Sequence, residues 1–95
     1  MDAFRLFIDG SFVDTQNRPS IDVRNPSTGK VFAQVPAAAE ADVTHAVDAA
    51  KLAQRGWGRL PAIERGNALR KLADIIERNA ERIGEALAKE SGKSL

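Results

Sequence analysis

His45 is the only histidine of this 95-residue chain, and Asp42 and Asp48 stand three residues to either side of it. On a helix that spacing puts all three on one face. Two carboxylates and an imidazole so placed could grip a metal or pass a proton. The same face lies opposite Val43, Ala46 and Val47, so the plainer reading is a solvated helix surface, and zinc would want ligands of better number and type. Two glycine groupings invite a phosphate reading. Gly92-Lys93-Ser94 has the closing letters of a phosphate-binding loop, but Leu87 occupies the place of that motif's first glycine and a helical pattern precedes it where a strand is needed. A helix end closed by glycine accounts for it better. Gly56-Trp57-Gly58 fails as a dinucleotide fingerprint, because Pro61 stands at the third glycine and no strand leads in. The chain has no cysteine, which removes thiol nucleophiles, thiolate metal sites and disulfides together.

The elements that would position these residues follow from period and punctuation. Phe4 to Ile8 reads as a strand, Asp9-Gly10 as a two-residue hairpin turn with Gly10 at positive φ, and Ser11 to Asp14 as the return strand. Thr15 to Pro19 is a polar loop. Ile21 and Val23 alternate with charged residues, as in a half-buried strand. Asn25-Pro26-Ser27-Thr28-Gly29 is a turn, and Val31 to Val35 a fourth strand ended by Pro36. The period then becomes helical. Val43, Ala46, Val47, Ala50 and Ala53 share one side of a helix over Ala37 to Arg55, with Glu40 and Asp42 in its first turn. Ala39 offers that helix no capping oxygen. Gly56-Trp57-Gly58 breaks it, and Trp57 packs into the join. From Leu60 to Gly92 runs the longest periodic stretch, with Leu69, Ala73, Ile76, Ala80, Ile83 and Leu87 spaced alternately four and three. Pro61 suits its first turn, Asn79 splits it into two helices, and Gly92 closes it. Asp74 with Arg78, and Glu85 with Lys89, are favourable opposite charges four apart.

Fourteen basic and 13 acidic residues leave a net charge of +1, which gives no electrostatic case for nucleic acid or a charged membrane. No apolar run approaches the ~20 residues of a membrane helix, and no charged-then-apolar leader pattern opens the chain. Asn25-Pro26-Ser27 is no glycosylation acceptor, since proline sits in its middle. The expectation is one small intracellular, cytoplasmic domain at most.

Leu6-Phe7-Ile8-Asp9-Gly10-Ser11-Phe12-Val13, then Asn25-Pro26-Ser27-Thr28-Gly29-Lys30-Val31, resemble the opening of the NAD(P)-dependent aldehyde dehydrogenases. Asp42-Val43 with Ala46 to Ala50, Trp57, Leu60 to Arg65, Leu69 to Asp74 and Glu90-Ser91-Gly92-Lys93 continue the likeness in order and at the right separations. The wording of Leu60 to Arg65 looks closest to the lactaldehyde or glycolaldehyde dehydrogenases. The resemblance implies an α/β fold in part: an N-terminal hairpin and two further strands over 1–36, then two or three helices over 37–95, together an incomplete N-terminal part of a cofactor-binding domain. It implies a truncated gene product or a proteolytic fragment. The complete enzyme would oxidise an aldehyde to a carboxylate with NAD or NADP. The family's nucleophilic cysteine, general-base glutamate, oxyanion-holding asparagine and nicotinamide loops come later in the chain and map onto no residue here, so this chain alone is expected to be inactive and to bind no cofactor. Some members hold a monovalent cation through main-chain oxygens at positions matching Val23 and Arg24, with a further carboxylate ligand beyond Leu95. Three helix-end positions depart from the family's habit: Ala39 and Pro61 where hydroxyl caps are common, and Ser94 where proline is usual.

A reading from another class remains beside this one: a free-standing α/β interaction module that uses the apolar helix stripe. Either way the stripe has little in the chain to cover it, so the expected partners are a second copy or the remainder of the enzyme, and a compact monomer is not expected.

Overall fold

Asp9 and Gly10 take φ of 54° and 78°, the pair of positive values that a two-residue hairpin turn requires. They join β2 (Phe7–Ile8) to β3 (Ser11–Phe12), with Phe7 opposite Phe12 and Ile8 opposite Ser11. The two phenylalanine rings meet edge to face at 5.1 Å, and the Arg5 guanidinium lies 4.6 Å from the centre of the Phe12 ring. The computed structural model in which these elements are seen describes residues 2–14 and 17–93. Of the expected loop from Thr15 to Pro19, Thr15 and Gln16 lie outside the described residues, as does the Ser94 departure.

The expected first strand is divided. Asp2–Ala3 forms β1, which runs parallel to β5 (Val31–Pro36), and Phe4 N–H donates to the Gln34 carbonyl at 3.2 Å. Only Phe7–Ile8 belongs to the hairpin ladder, extended by Val13 N–H to the Leu6 carbonyl at 2.8 Å. β4 (Ser20–Arg24) pairs antiparallel with β5, so the sheet order is β1-β5-β4 and β4 is an edge. β5 ends at Pro36 as expected, with Pro36 itself the last paired residue, opposite Ser20. The turn between β4 and β5 is held from Asn25. Its side-chain oxygen accepts the Ser27 N–H at 2.9 Å, and its carbonyl accepts the Gly29 N–H at 2.7 Å.

Three helices follow: α1 (Glu40–Arg59), α2 (Ala62–Arg78) and α3 (Ala80–Ser91). α1 does not break at Gly56-Trp57-Gly58 but runs through it, and Trp57 is 42% exposed rather than packed in a join. Each glycine lowers helix propensity by about 1 kcal/mol, too little to stop a helix already 16 residues long at Arg55. Pro61 is the stop: it disfavours helical geometry at the residue before it, and Leu60 has left the helix at ψ 143°. Pro61 then serves as the N-cap of α2, one place before the first-turn position expected. Asn79 does divide the long stretch. Its side-chain amide donates to the Ile75 carbonyl at 2.8 Å, so it closes α2 rather than opening α3. Gly92 caps α3 at φ 74°. A methyl group there would come within 3.3 Å of Pro26, which fixes the end of α3 on the β4–β5 turn. Among the described residues neither Asp74–Arg78 nor Glu85–Lys89 closes into an ion pair.

The core is slight. Ala33 on β5 is the buried apolar residue among those described. The side of α1 that faces the hairpin is Ala46, Ala49, Ala50 and Ala53, set around Phe7 to Gly10. Val43 and Val47 stay open at 56% and 48%. α3 lies along the sheet, with Phe4 and Phe32 across from Ile83 and Ala86.

A candidate functional site at the start of α1 and the β4 edge

Asp42 was expected on the solvated face of α1, and the structure buries it instead, at 8% exposure. The cause is local chemistry. Ala39, the N-cap, has no side-chain oxygen, and Asp42 stands at the third helical position, from which its carboxylate reaches back. Oδ2 accepts the Ala39 N–H at 2.8 Å, one half of a capping box. The same oxygen accepts the Arg18 guanidinium, from the segment leading into β4. The Ala39 hydrogen bond first, and the Arg18 hydrogen bond and charge after it, hold the Asp42 carboxyl below its ordinary value of 3.8, against the desolvation that would raise it. Nothing in the sequence pointed to Arg18: it lies 24 residues from Asp42, in a stretch without periodicity.

His45 and Asp48 remain on the open side of α1 beside Glu40, Ala41 and Thr44. Asp42 is committed elsewhere, so the three residues do not act together. Among the described residues no group of three histidines, cysteines or acids could hold a metal ion. Gly92 closes α3 as its cap, and Ser94 of that grouping lies outside the described residues. Gly56 and Gly58 are interior to α1.

Val23 and Arg24 lie together on β4, where the ladder slips between them: Val23 faces Ala33 and Arg24 faces Val31. A bulge of this kind re-aims backbone groups, and β4 carries no strand on its outer side among the described residues. The Arg24 guanidinium donates to the Gly29 carbonyl at 3.1 Å, which keeps the charge folded over the turn.

These elements make an α/β piece, short strands followed by three helices, that holds no catalytic constellation of its own among the described residues. The sequence profile of the aldehyde dehydrogenase family matches residues 12–95. The chain belongs to the aldehyde dehydrogenase family, a family of oxidoreductases that generally use NAD or NADP. It is 41% identical over 88 residues to the lactaldehyde dehydrogenase of Escherichia coli (strain K12), covering 93% of this chain and 18% of that protein. It is 37% identical over 93 residues to the 3,6-anhydro-alpha-L-galactose dehydrogenase of Vibrio sp. (strain EJY3), covering 98% and 19%. The crystal structure of aldehyde dehydrogenase 21 from Physcomitrella patens, in complex with the reaction product succinate, superposes with a TM-score of 0.87 at 34% identity. That superposition covers 97% of this chain and 19% of the plant enzyme's. The chain therefore spans about a fifth of the length of these relatives and corresponds to their N-terminal segment. No helix among the described residues is long and apolar enough to cross a membrane.

Proposed function

We propose that this chain is the N-terminal structural segment of an enzyme that oxidises an aldehyde to a carboxylate with NAD or NADP, working in the cytoplasm. The observation that carries the reading is the superposition of nearly the whole chain on one end of a complete aldehyde dehydrogenase at 34% identity. In this reading 1–36 and 37–95 are the strand and helix portions of one incomplete cofactor-binding domain. The residues present do not fit the nucleotide: no glycine-rich turn follows a strand into a helix, so no step is routed through it here. What this chain contributes is shape. Asp42 and Arg18 fix α1 against the sheet, and Gly92 seats α3 on the Asn25–Gly29 turn. The 95 residues alone are expected to be inactive, with a second copy or the remainder of the enzyme as partner. The main-chain oxygens of Val23 and Arg24, beside the slip in the β4–β5 ladder, are offered as ligands of a monovalent cation. They would form part of such a site, completed by a carboxylate from elsewhere.

The test is a segment exchange. The matching stretch of the Escherichia coli lactaldehyde dehydrogenase is replaced by this chain, and reduction of NAD+ or NADP+ is followed with lactaldehyde. Activity within tenfold of the parent is the expected result; a folded but inactive hybrid overturns the reading. Melting of the active hybrid in potassium and in choline chloride tests the cation site, whose presence predicts the higher midpoint in potassium.

A further inference from the structure

Asp9 is the one aspartate of the chain with glycine after it; the others precede alanine, threonine, valine or isoleucine. The pair matters for a reaction that an aspartate and its following amide undergo unaided. The amide nitrogen attacks the side-chain carboxyl and closes a five-membered imide, and a side chain on the attacking residue shields that nitrogen. Glycine leaves the nitrogen bare. A Cβ added at Gly10 would meet nothing within 4 Å, so no neighbour shields it either. Asp9 and Gly10 are both exposed. Among the described residues the Asp9 carboxylate has no hydrogen bond or ion pair to hold it back. The ladder pairs Phe7 with Phe12 and Ile8 with Ser11, and leaves the Gly10 N–H outside it.

The hairpin opposes the same reaction. Asp9 stands at φ 54°, in the left-handed region, where ψ is about +47°. At that ψ the nitrogen of the next residue lies nearly opposite the Cβ across the Cα–C bond, whereas ring closure needs the two nearly eclipsed. The attack therefore waits until the turn opens. Opening loses the edge-to-face contact of Phe7 with Phe12 at 5.1 Å and the Arg5 guanidinium over the Phe12 ring at 4.6 Å. It also draws Phe7 and Ile8 away from Ala46, Ala49, Ala50 and Ala53 of α1.

We propose that Asp9-Gly10 is a site of spontaneous isomerisation to isoaspartate, gated by opening of the β2–β3 hairpin. With the carboxyl protonated, the Gly10 nitrogen bonds to Cγ of Asp9, and the carboxyl OH leaves with the hydrogen of that nitrogen as water. Water then adds to one of the two ring carbonyls. Addition at Cγ breaks the new N–Cγ bond and restores aspartate. Addition at the main-chain carbonyl breaks the original peptide bond and leaves Gly10 joined through Cγ. Nothing is oxidised or reduced, and water is the sole co-reactant. In the second product Cβ has entered the main chain, which is one atom longer at position 9. A two-residue turn fixes the register of its strands, so the added atom removes the match of Phe7 with Phe12, and the hairpin does not re-form. The site and its gate lie within residues 5–12, whatever the remainder of the enzyme does.

The test ages the 95-residue chain for weeks at neutral pH, in buffer and in urea. Trypsin then releases Leu6 to Arg24 as one peptide, because Pro19 protects the bond after Arg18. That peptide carries Asp9, Asp14 and Asp22 together, and electron-transfer fragmentation assigns isoaspartate to each position. In urea isoaspartate should accumulate at Asp9 and stay at background at Asp14 and Asp22. In buffer it should form more slowly at Asp9. Phe7→Ala should speed it there by roughly two- to tenfold, the weight of one aromatic pair. Asp9 reacting no faster than Asp14 and Asp22 in urea overturns the site. Equal rates in buffer and urea, or Phe7→Ala without effect, overturn the gate. Gly10→Ala in urea should suppress the product, and an undiminished yield overturns the attack by the Gly10 nitrogen. Should Phe7→Ala lose its helices, Phe7→Leu, which keeps apolar bulk without the ring pair, decides in its place.

Discussion

Replacing Gly10 with valine isolates the cost of one backbone conformation. Gly10 sits at φ 78°, and a Cβ added there meets nothing within 4 Å. Packing therefore neither helps nor hurts, and the whole effect is the strain of an L-residue at positive φ, about 1–2 kcal/mol. The protein can escape by abandoning the hairpin, but this forfeits the Phe7–Phe12 ring pair, worth about 0.5–1.5 kcal/mol. It also forfeits the Arg5–Phe12 contact, worth about 0.5–1 kcal/mol. The two routes cost nearly the same, so Gly10→Val should lose about 1–2 kcal/mol whichever the chain takes. At about 4–8 °C per kcal/mol for a domain of this length, the melting midpoint should fall by roughly 4–15 °C. The assay is thermal unfolding followed by circular dichroism, with protein concentration held fixed because association shifts the midpoint. Gly10→Asn is the control, since asparagine enters the left-handed region at much less cost. A valine variant that melts with the parent, or an asparagine variant as costly as valine, refutes the turn geometry.

Gly92→Ala should destabilise by more than ~1 kcal/mol, because it adds the crowding of Pro26 at 3.3 Å to the penalty of φ 74°; chemical denaturation of the variant checks it. Gly56→Ala should raise stability by about 0.5–1 kcal/mol, since the site lies inside α1 with open space around it; the helical signal and the melting midpoint should rise together. Asp42 carries a lowered pKa, so its contribution is complete above the unfolded value near 3.8 and is lost as pH falls through the still lower folded value. Asp42→Asn should remove that part of the acid-side slope of the midpoint against pH, and an unchanged slope would refute the assignment. The 95-residue chain, freed of host enzymes, should reduce no NAD+ or NADP+ above the blank with short aldehydes.

The features legible in the sequence are those that one residue type forces. Asp9-Gly10, Gly92 and Asn79 each stand where the backbone departs from the common regions, and each marks its turn or break. The series of matches from Leu6 to Lys93 made the family legible, although no single motif did. What escaped depends on contacts between distant residues. The parallel pairing of Asp2–Ala3 with β5 follows from no local pattern, so Phe4 to Ile8 reads as one strand where the fold makes two segments. Asp42 reads as a surface residue because helical spacing places it opposite Val43 and Val47. Arg18 and the bare N–H of Ala39 draw it inward, and the two valines stay open. The glycines at 56 and 58 overstate a helix break, since propensity is a small term beside the cooperativity of a helix already formed.

The placement of Ala33 also sets a gradient of local opening. β5 has a hydrogen-bonded neighbour on each side and holds the buried apolar residue among those described. α2, at the other extreme, buries nothing. Amide protons along β5 should therefore exchange with solvent only through unfolding of the sheet, while those of α2 exchange through fraying of that helix alone. Whatever comes to cover α2 will register first as slowed exchange there, before any change is felt at β5.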